Sequence, residues 1–211
     1  RAIAGLYTET CQLVVRADSD IQTLDDLSGH TVSIGAEESG TERNAKQILE
    51  FAGMPSSLVA TKNLDYIEAT KELKAGDIDA FFCTAGLTTT VIDELSKECD
   101  IRLIPLTDTV ISKMLEISSA YTSEVIPAGT YTGQTTDIST IGVKSVLITK
   151  SDVSDDTIEQ LTSLLFEKEN ELSYSNSLKL ELTYDFATDD IPIPFHNGAK
   201  RYYEGCGYST N

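Results

Sequence analysis

The sequence predicts an α/β fold in which a parallel sheet is covered by helices. Segments with the apolar or alternating pattern of strands take turns with segments whose apolar residues recur at helical spacing. The turns between them are short and rich in the residues that begin helices or end them. The chain has 211 residues and is 40% hydrophobic, enough for a buried core in one large domain or two small lobes.

The first predicted elements are two strands, Ala2 to Leu6 and Cys11 to Arg16, separated by Tyr7 to Thr10. The second of these strands is an apolar run of the buried kind. We expect a short helical turn to follow, with Thr23 as its cap and Gly29 ending it in a left-handed conformation.

The stretch from Thr31 to Ala52 is a short strand followed by a helix. Thr31 to Gly35 alternates polar with apolar or small residues, as a strand does. Ser39 and Glu42 then predict a capping box, in which the Ser39 hydroxyl accepts from the Glu42 amide and the Glu42 carboxylate accepts from the Ser39 amide. The apolar positions of the helix are Ala45, Ile48, Leu49 and Ala52.

This helix start has the chemistry of an anion site. The first amides of a helix and the positive end of its dipole face outward. Gly40 allows a ligand to approach the backbone, and Ser39 and Thr41 add hydroxyl groups. The turn can therefore hold a carboxylate, although a capped helix with a purely structural role fits the same residues.

The same alternation continues through the rest of the chain. The predicted elements are a helix from Tyr66 to Ala75 capped by Asp65 and Glu68 and ended by Gly76, a strand from Ile78 to Cys83, a helix from Thr88 to Glu98, a strand from Ile101 to Leu106, a helix from Asp108 to Ile117, a loop from Ile126 to Gly133, a strand from Ile138 to Lys150, a helix from Ser154 to about Leu172, an irregular segment from Ser173 to Asp190, and a short helix after Pro192 and Pro194.

Two turns fall at the carboxyl ends of predicted parallel strands, one after Gly35 and one after Cys83. Ligands of α/β proteins bind at such ends. The second turn offers Thr84, Gly86 and Thr88 as candidate ligand contacts, and another capped helix is the structural alternative.

The charge of the chain excludes some classes of function. Its formal charge is −18 and its predicted pI about 4.3, so binding to nucleic acids or anionic membranes is disfavoured.

The four cysteines form no CxxC pair and no metal-like spacing with the two histidines, and no cofactor or metal is predicted. The chain contains no apolar run long enough to span a bilayer, and its start at Arg1 predicts that a segment upstream is missing.

Five sequence blocks lie in a recognisable order along nearly the whole chain. They are TLDDLSGHTVSIG, ESGTERNAKQILEFAGM, LKAGDIDAFFCTAG, IPAGTY and IPFHNGAKRYY. Together they resemble the TAXI family of TRAP-transporter solute receptors, whose members share GSGT at a helix start and a closing PxHxGAxxYY. The resemblance implies a type II periplasmic-binding-protein fold, with two α/β lobes joined by crossing strands and closing on a small organic ligand.

The resemblance also implies an organisation for this chain. Residues 19–136 would form one complete lobe, while residues 1–18 and 137–211 would form the remainder of another, truncated lobe. Members of the family are extracytoplasmic and deliver their ligand to TRAP membrane subunits, so those subunits are the implied partners of a monomeric receptor. Tyr7 and Glu9 lie near the implied hinge and are weaker candidate ligand contacts, and Tyr131 either lays its ring against the ligand or anchors its loop.

The chain departs from the family pattern at Glu37 and Glu38, where the family tends to have Pro or Gly before SGT. These carboxylates either point to solvent or meet a cationic group on the ligand. An amino acid such as glutamate or glutamine, which carries both charges, is therefore favoured over a plain dicarboxylate.

Two other classes of function remain as alternatives. One is an enzyme with Cys83 as nucleophile and His196 as base; it is disfavoured because Cys83 ends an apolar strand without a basic neighbour in sequence. The other is a cell-surface interaction protein or antigen with no transport role. Ligand-dependent stabilisation would separate a solute receptor from the latter.

Overall fold

The computed structural model describes residues 1–169, 171–172 and 180–210. The chain divides into two compact units, one formed by Arg1–Glu9 with Val143–Asn211 and the other by Thr10–Gly142. Within the described ranges, every helix is too short or too polar to cross a membrane.

One mixed sheet organises the fold. Its strands are β1 (Ala2–Arg16), β2 (Thr31–Ser33), β3 (Ala60–Lys62), β4 (Ala80–Ala85), β5 (Ile101–Leu103), β6 (Tyr121–Ile126) and β7 (Ile138–Ile148). The strand order is β3-β2-β4-β1-β7-β6, and β5 also pairs with β1. The predicted α/β class is therefore confirmed.

The sheet is not wholly parallel, and this corrects the sequence prediction. β2 pairs in parallel with β3 and with β4, as expected for strands linked by crossover helices. β1, in contrast, runs antiparallel to β4 and to β5. It precedes the first crossover helix, so no right-handed strand-helix-strand connection fixes its direction.

The helices lie between the strands along the chain and after β7. They are α1 (Gly40–Phe51), α2 (Tyr66–Ala75), α3 (Thr90–Glu98), α4 (Asp108–Ile117), α5 (Asp155–Glu167), α6 (Tyr184–Thr188) and α7 (Asn197–Gly205), with a 3-10 turn at Asp25–Leu27. The predicted capping box of α2 is present in full, with Gly76 in the left-handed conformation that ends the helix.

The Thr10–Gly142 unit has a core on each side of its sheet. Because successive residues of a strand point to opposite faces, β1 supplies both cores. Leu13 and Val15 pack in the cluster that includes Ile48 of α1 and Met114 of α4. Val14 packs on the other side, in the cluster with Leu73 of α2, Ile92 of α3 and other buried residues.

The other unit is built around the contact of α5 with α7. Ile3, Phe195 and Tyr203 are among its buried residues, and the Tyr203 hydroxyl donates to the Ile3 carbonyl at 3.0 Å. The two helices approach so closely that a Cβ atom added at Gly198 would lie 2.2 Å from the Asp155 carbonyl oxygen. Only glycine fits at this crossing.

Several local predictions are wrong at the start of the chain. β1 is one strand of 15 residues rather than two, because Tyr7 to Thr10 stays extended. The 3-10 turn has Leu24, not Thr23, at its N-cap position. The Asp26 carboxylate accepts from the Thr23 amide and hydroxyl at 2.8 and 2.9 Å, so the capping group is supplied from inside the turn.

Other differences lie in the second half. β6 occupies a stretch in which no strand was predicted, because its exposed residues lack an apolar alternation. α5 ends at Glu167 instead of near Leu172. α6 lies within the segment predicted to be irregular, and the part of that segment at 173–179 is outside the described residues.

Candidate functional site

The two turns singled out by the sequence lie at one edge of the sheet. β2 and β4 are parallel neighbours, with Val32 opposite Ala80 and Ser33 opposite Phe81. Their carboxyl ends therefore meet, and the chain leaves them towards α1 and α3 respectively. This arrangement brings Ser39, Thr41 and Thr84 into one neighbourhood.

The start of α1 is capped by Ser39, as the sequence predicts. The Ser39 hydroxyl accepts from the Glu42 amide at 3.1 Å. The second half of the predicted capping box is wrong: the Glu42 carboxylate accepts from the Glu38 amide at 2.7 Å, while the Ser39 amide donates to the Ala36 carbonyl. Glu38 has a positive φ of 62°, and this turns its own amide towards Glu42.

Glu42 holds the loop before α1 in place. Its carboxylate also accepts from Lys46 Nζ at 2.7 Å and from Asn63 Nδ2 at 3.0 Å. These two side-chain donors, Lys46 first, together with the Glu38 amide, lower the pKa of Glu42 from its ordinary value. Asn63 Nδ2 donates as well to the Gly35 carbonyl at 3.0 Å, so both ends of the loop are joined through one amide.

Gly35 permits the close approach of α1 to the end of β2. Its φ is +93°, a conformation that favours glycine, and an added Cβ would lie 2.8 Å from Thr41 Cβ and Cγ2. Thr41 is consequently buried, whereas Ser39 is half-buried and Gly40 is exposed. The ligand-accessible groups of this helix start are the Ser39 hydroxyl and the backbone at Gly40.

The Tyr66 hydroxyl links the two turns. It donates to the Thr84 carbonyl at 3.0 Å and accepts from the Thr84 amide at 3.3 Å. Thr41 Oγ1 lies 2.6 Å from the same hydroxyl. Since the single phenolic proton goes to the Thr84 carbonyl, Thr41 is the donor in that contact, and its proton is not available to a ligand. Tyr66 was not predicted as a site residue, because its partners Thr41 and Thr84 lie 25 and 18 residues away along the chain and leave no local pattern.

A second set of neutral side chains adjoins Thr84. Asn44 Nδ2 donates to Thr84 Oγ1 at 3.4 Å, and the Tyr121 hydroxyl lies 2.9 Å from both Asn44 Oδ1 and Gln47 Oε1. Burial raises the pKa of Tyr121, so its phenol stays a neutral donor. Asn44 and Gln47 could have been predicted as site residues, because helical spacing places them on one face with Gly40.

The start of α3 is fixed by a buried polar cluster. Thr89 is its N-cap residue, and Thr89 Oγ1 donates to the Gly86 carbonyl at 2.9 Å. Gln12 Nε2 donates to Thr89 Oγ1 at 3.0 Å. Thr88 is exposed and Gly86 half-buried, and α3 begins at Thr90 rather than at Thr88.

Tyr131 completes this cluster. Only 3% of the residue is exposed. Its hydroxyl donates to Gln12 Oε1 at 2.7 Å and accepts from the Thr89 amide at 3.1 Å. In this structure Tyr131 therefore anchors its loop and positions the start of α3.

The remaining candidate residues, which are Tyr7, Glu9, Glu37 and Glu38, differ in their burial. Tyr7 and Glu9 belong to the unit of Arg1–Glu9 and Val143–Asn211, where the Tyr7 hydroxyl lies 3.3 Å from Glu9 Oε1. Burial raises the pKa of Glu9 and outweighs the opposing hydrogen bond from Tyr7. Glu37 and Glu38 are both exposed.

The residues of the alternative enzymatic interpretation are enclosed. Cys83 is fully buried in β4, and His196 is 2% exposed. His196 Nδ1 accepts from the Gly198 amide at 3.1 Å and so caps α7. Across the described ranges, no group of three or more His, Cys, Asp or Glu side chains is arranged to hold a metal ion.

Comparisons with known proteins give one family and several solved structures. A model of the NMT1-like family matches residues 1–207. An ancestral arginine-binding protein bound to arginine is 20% identical, with 80% of this chain and 58% of that chain covered and a TM-score of 0.44. The periplasmic aliphatic sulphonate binding protein of Escherichia coli is 14% identical, with 84% and 52% covered and a TM-score of 0.47.

A third structure, solved with L-arginine bound, is 18% identical, with 84% of this chain and 58% of that chain covered and a TM-score of 0.48. The present chain thus spans between 52% and 58% of the length of these three proteins.

Proposed function

This chain belongs to the NMT1-like family, and from that premise we propose that it is part of an extracytoplasmic solute receptor. The receptor captures a small organic solute and carries out no covalent chemistry. Its binding surface in the Thr10–Gly142 unit is the sheet edge at which α1 and α3 begin, with Ser39, Gly40, Thr84 and Gly86 as the candidate contacts.

The observation that carries the proposal is the convergence of the two turns on the Tyr66 hydroxyl. Tyr66 bonds to Thr84 and Thr41, and thereby holds the end of β4 and the start of α1 in a fixed relation. Such a preorganised set of neutral donors and acceptors suits the reversible, non-covalent binding of a ligand.

The ligand class follows from the polarity of these groups. Ser39 Oγ accepts from the Glu42 amide and donates to no acceptor within the described part of the chain, so its proton is available to a ligand carboxylate, together with the outward-facing first amides of α1. Glu37 and Glu38 precede this start and offer negative charge to an ammonium group. An amino acid such as glutamate or glutamine meets both requirements, whereas the second carboxylate of a plain dicarboxylate would be repelled by Glu37 and Glu38.

Delivery to TRAP membrane subunits is the further part of the proposal. Its support is the order of the five sequence blocks, which resembles the TAXI receptors of those transporters. The same resemblance supports a location outside the cytoplasm.

Ligand-dependent thermal stabilisation of the full-length protein tests the proposal. A ligand at a hundred times its dissociation constant stabilises the native state by about 2.7 kcal/mol. We expect a melting shift with one or more amino acids, a smaller one in Ser39→Ala, and an unchanged one in Ser56→Ala, an exposed serine used as control. Tight binding of a dicarboxylate with none of any amino acid would contradict the ligand class, and no response to amino acids or organic acids would contradict the receptor function.

A further inference from the structure

The Thr10–Gly142 unit contains a second concave site, which Arg102 helps to line. It has a volume of about 390 Å³, and its lining includes Gln22, Thr135, Thr136, Asp137 and Ile138. Tyr131 contributes to the lining as well, but none of the other candidate contacts of the proposed solute site does. The inference drawn from this pocket does not depend on the proposed function.

Arg102 is held in place without a carboxylate partner. Its Nη1 donates to the Ser19 and Ile21 carbonyls at 3.3 and 3.0 Å, and its Nη2 donates to the Ala17 carbonyl. These three bonds use three of the five N–H groups of the guanidinium. Among the described residues, Arg102 forms no ion pair, and its Nε donates no hydrogen bond.

The half-buried guanidinium thus keeps a full positive charge and two unused donors beside a pocket. Arginine stays protonated in proteins, and its planar fork matches the two oxygens of a carboxylate. We propose that this pocket binds a small organic carboxylate, with Arg102 as the group that holds its two oxygens.

The walls of the pocket narrow the ligand to a monocarboxylate with a compact apolar body. Leu103, Pro105 and Ile138 supply apolar surface, and the volume is near the low end for small-molecule sites. Asp137 is the acidic residue of the lining; its Oδ1 accepts from the Ala128 amide at 2.8 Å. Its negative charge, and the net charge of −18, disfavour a second anionic group on the ligand.

Nitrogen-15 NMR of the arginine Nε–H groups tests the proposal directly, with benzoate as the probe. We expect the Arg102 Nε resonance to shift and saturate with benzoate. It should not respond to benzyl alcohol, which has the same ring without the charge, or to sodium chloride at equal ionic strength. A response confined to Arg43 or Arg16, or none at any arginine, would overturn the proposal.

A variant that leaves Arg102 intact separates binding from folding. Thr136 is exposed and lies in the lining, so Thr136→Glu places a carboxylate in the pocket that Arg102 lines, without removing the bonds of the guanidinium to the backbone. We expect the benzoate dissociation constant to rise at least about tenfold, the effect of losing one charge-assisted hydrogen bond. Thr132→Glu, in the same loop but outside the lining, is the matched control and should bind as the wild type does. Equal affinity in both variants would contradict the site.

Discussion

Replacing Tyr66 by Phe removes the hydroxyl that joins the start of α1 to the end of β4. The ring and its packing remain, so the change isolates three contacts: the bond to the Thr84 carbonyl at 3.0 Å, the bond from the Thr84 amide at 3.3 Å, and the contact with Thr41 Oγ1 at 2.6 Å. Thr41 and Thr84 are buried at 4% and 7% exposure, and water therefore replaces the hydroxyl poorly.

The cost follows from those three contacts. A net hydrogen bond contributes about 1 kcal/mol, and a buried group left without a partner costs about 1 to 3 kcal/mol. We expect Tyr66→Phe to lower the free energy of unfolding by about 2 to 3 kcal/mol in urea denaturation, without a change of slope, because the surface exposed on unfolding is the same.

Tyr208→Phe is the matched control, since no hydrogen bond of the Tyr208 hydroxyl is seen among the described residues. Its effect should stay within about 0.5 kcal/mol. A double-mutant cycle of Tyr66→Phe with Thr41→Val should show coupling, because the two hydroxyls share one bond. A loss in Tyr66→Phe no larger than in Tyr208→Phe would refute the role assigned to this hydroxyl.

Three further predictions concern other parts of the chain. Gly198→Ala should lower the free energy of unfolding, measured in urea, by more than about 3 kcal/mol or prevent folding, because its Cβ would lie 2.2 Å from a backbone oxygen. Gly205→Ala on the same helix is the control: its Cβ would meet no atom within 4 Å, so the change should be neutral or stabilising by up to about 1 kcal/mol. Tyr131→Phe should lower stability by about 1 to 2 kcal/mol and speed amide exchange at Thr89, measured by hydrogen exchange; unchanged exchange there would contradict its anchoring role. The lowered pKa of Glu42 in the folded protein means that its stabilising effect is present above its unfolded pKa of 4.5 and is lost as the pH falls through the folded value. The stability gap between wild type and Glu42→Gln should therefore narrow below that pH, and a gap that is constant with pH would be inconsistent with an ionised partner.

The parts of the fold that the sequence predicted are those decided by local chemistry. The capping box of Asp65 and Glu68 is present, and α4 spans Asp108–Ile117 as predicted, because a cap and an apolar helical face need only neighbouring residues. The boundaries of the strands were predicted less accurately. β6 was missed because its stability rests on pairing and on contacts with α4, neither of which leaves a pattern in its own six residues.

The candidate site shows the same division. Ser39 could be assigned from its spacing to Glu42, but the partner of the Glu42 carboxylate could not, because the positive φ of Glu38 is not encoded by a glycine. Tyr66 and Tyr121 reach the site from sequence positions 18 and 77 residues away from the groups they bond, and such pairings depend on the assembled sheet. The roles of the candidate residues in ligand binding remain predictions.

The division of the chain into units has a consequence for the order of folding. The Thr10–Gly142 unit is one continuous segment, so all of its contacts become available once residue 142 has left the ribosome. Residues 1–9 instead belong to a unit whose other residues begin at Val143, so they cannot form its contacts until that part of the chain has been made. Ala2, for example, pairs with Phe195. Closing so long a loop is slow, and the apolar start of β1 stays unpaired in the meantime. Residues 1–9 are therefore expected to reach their native contacts later than the residues of the Thr10–Gly142 unit.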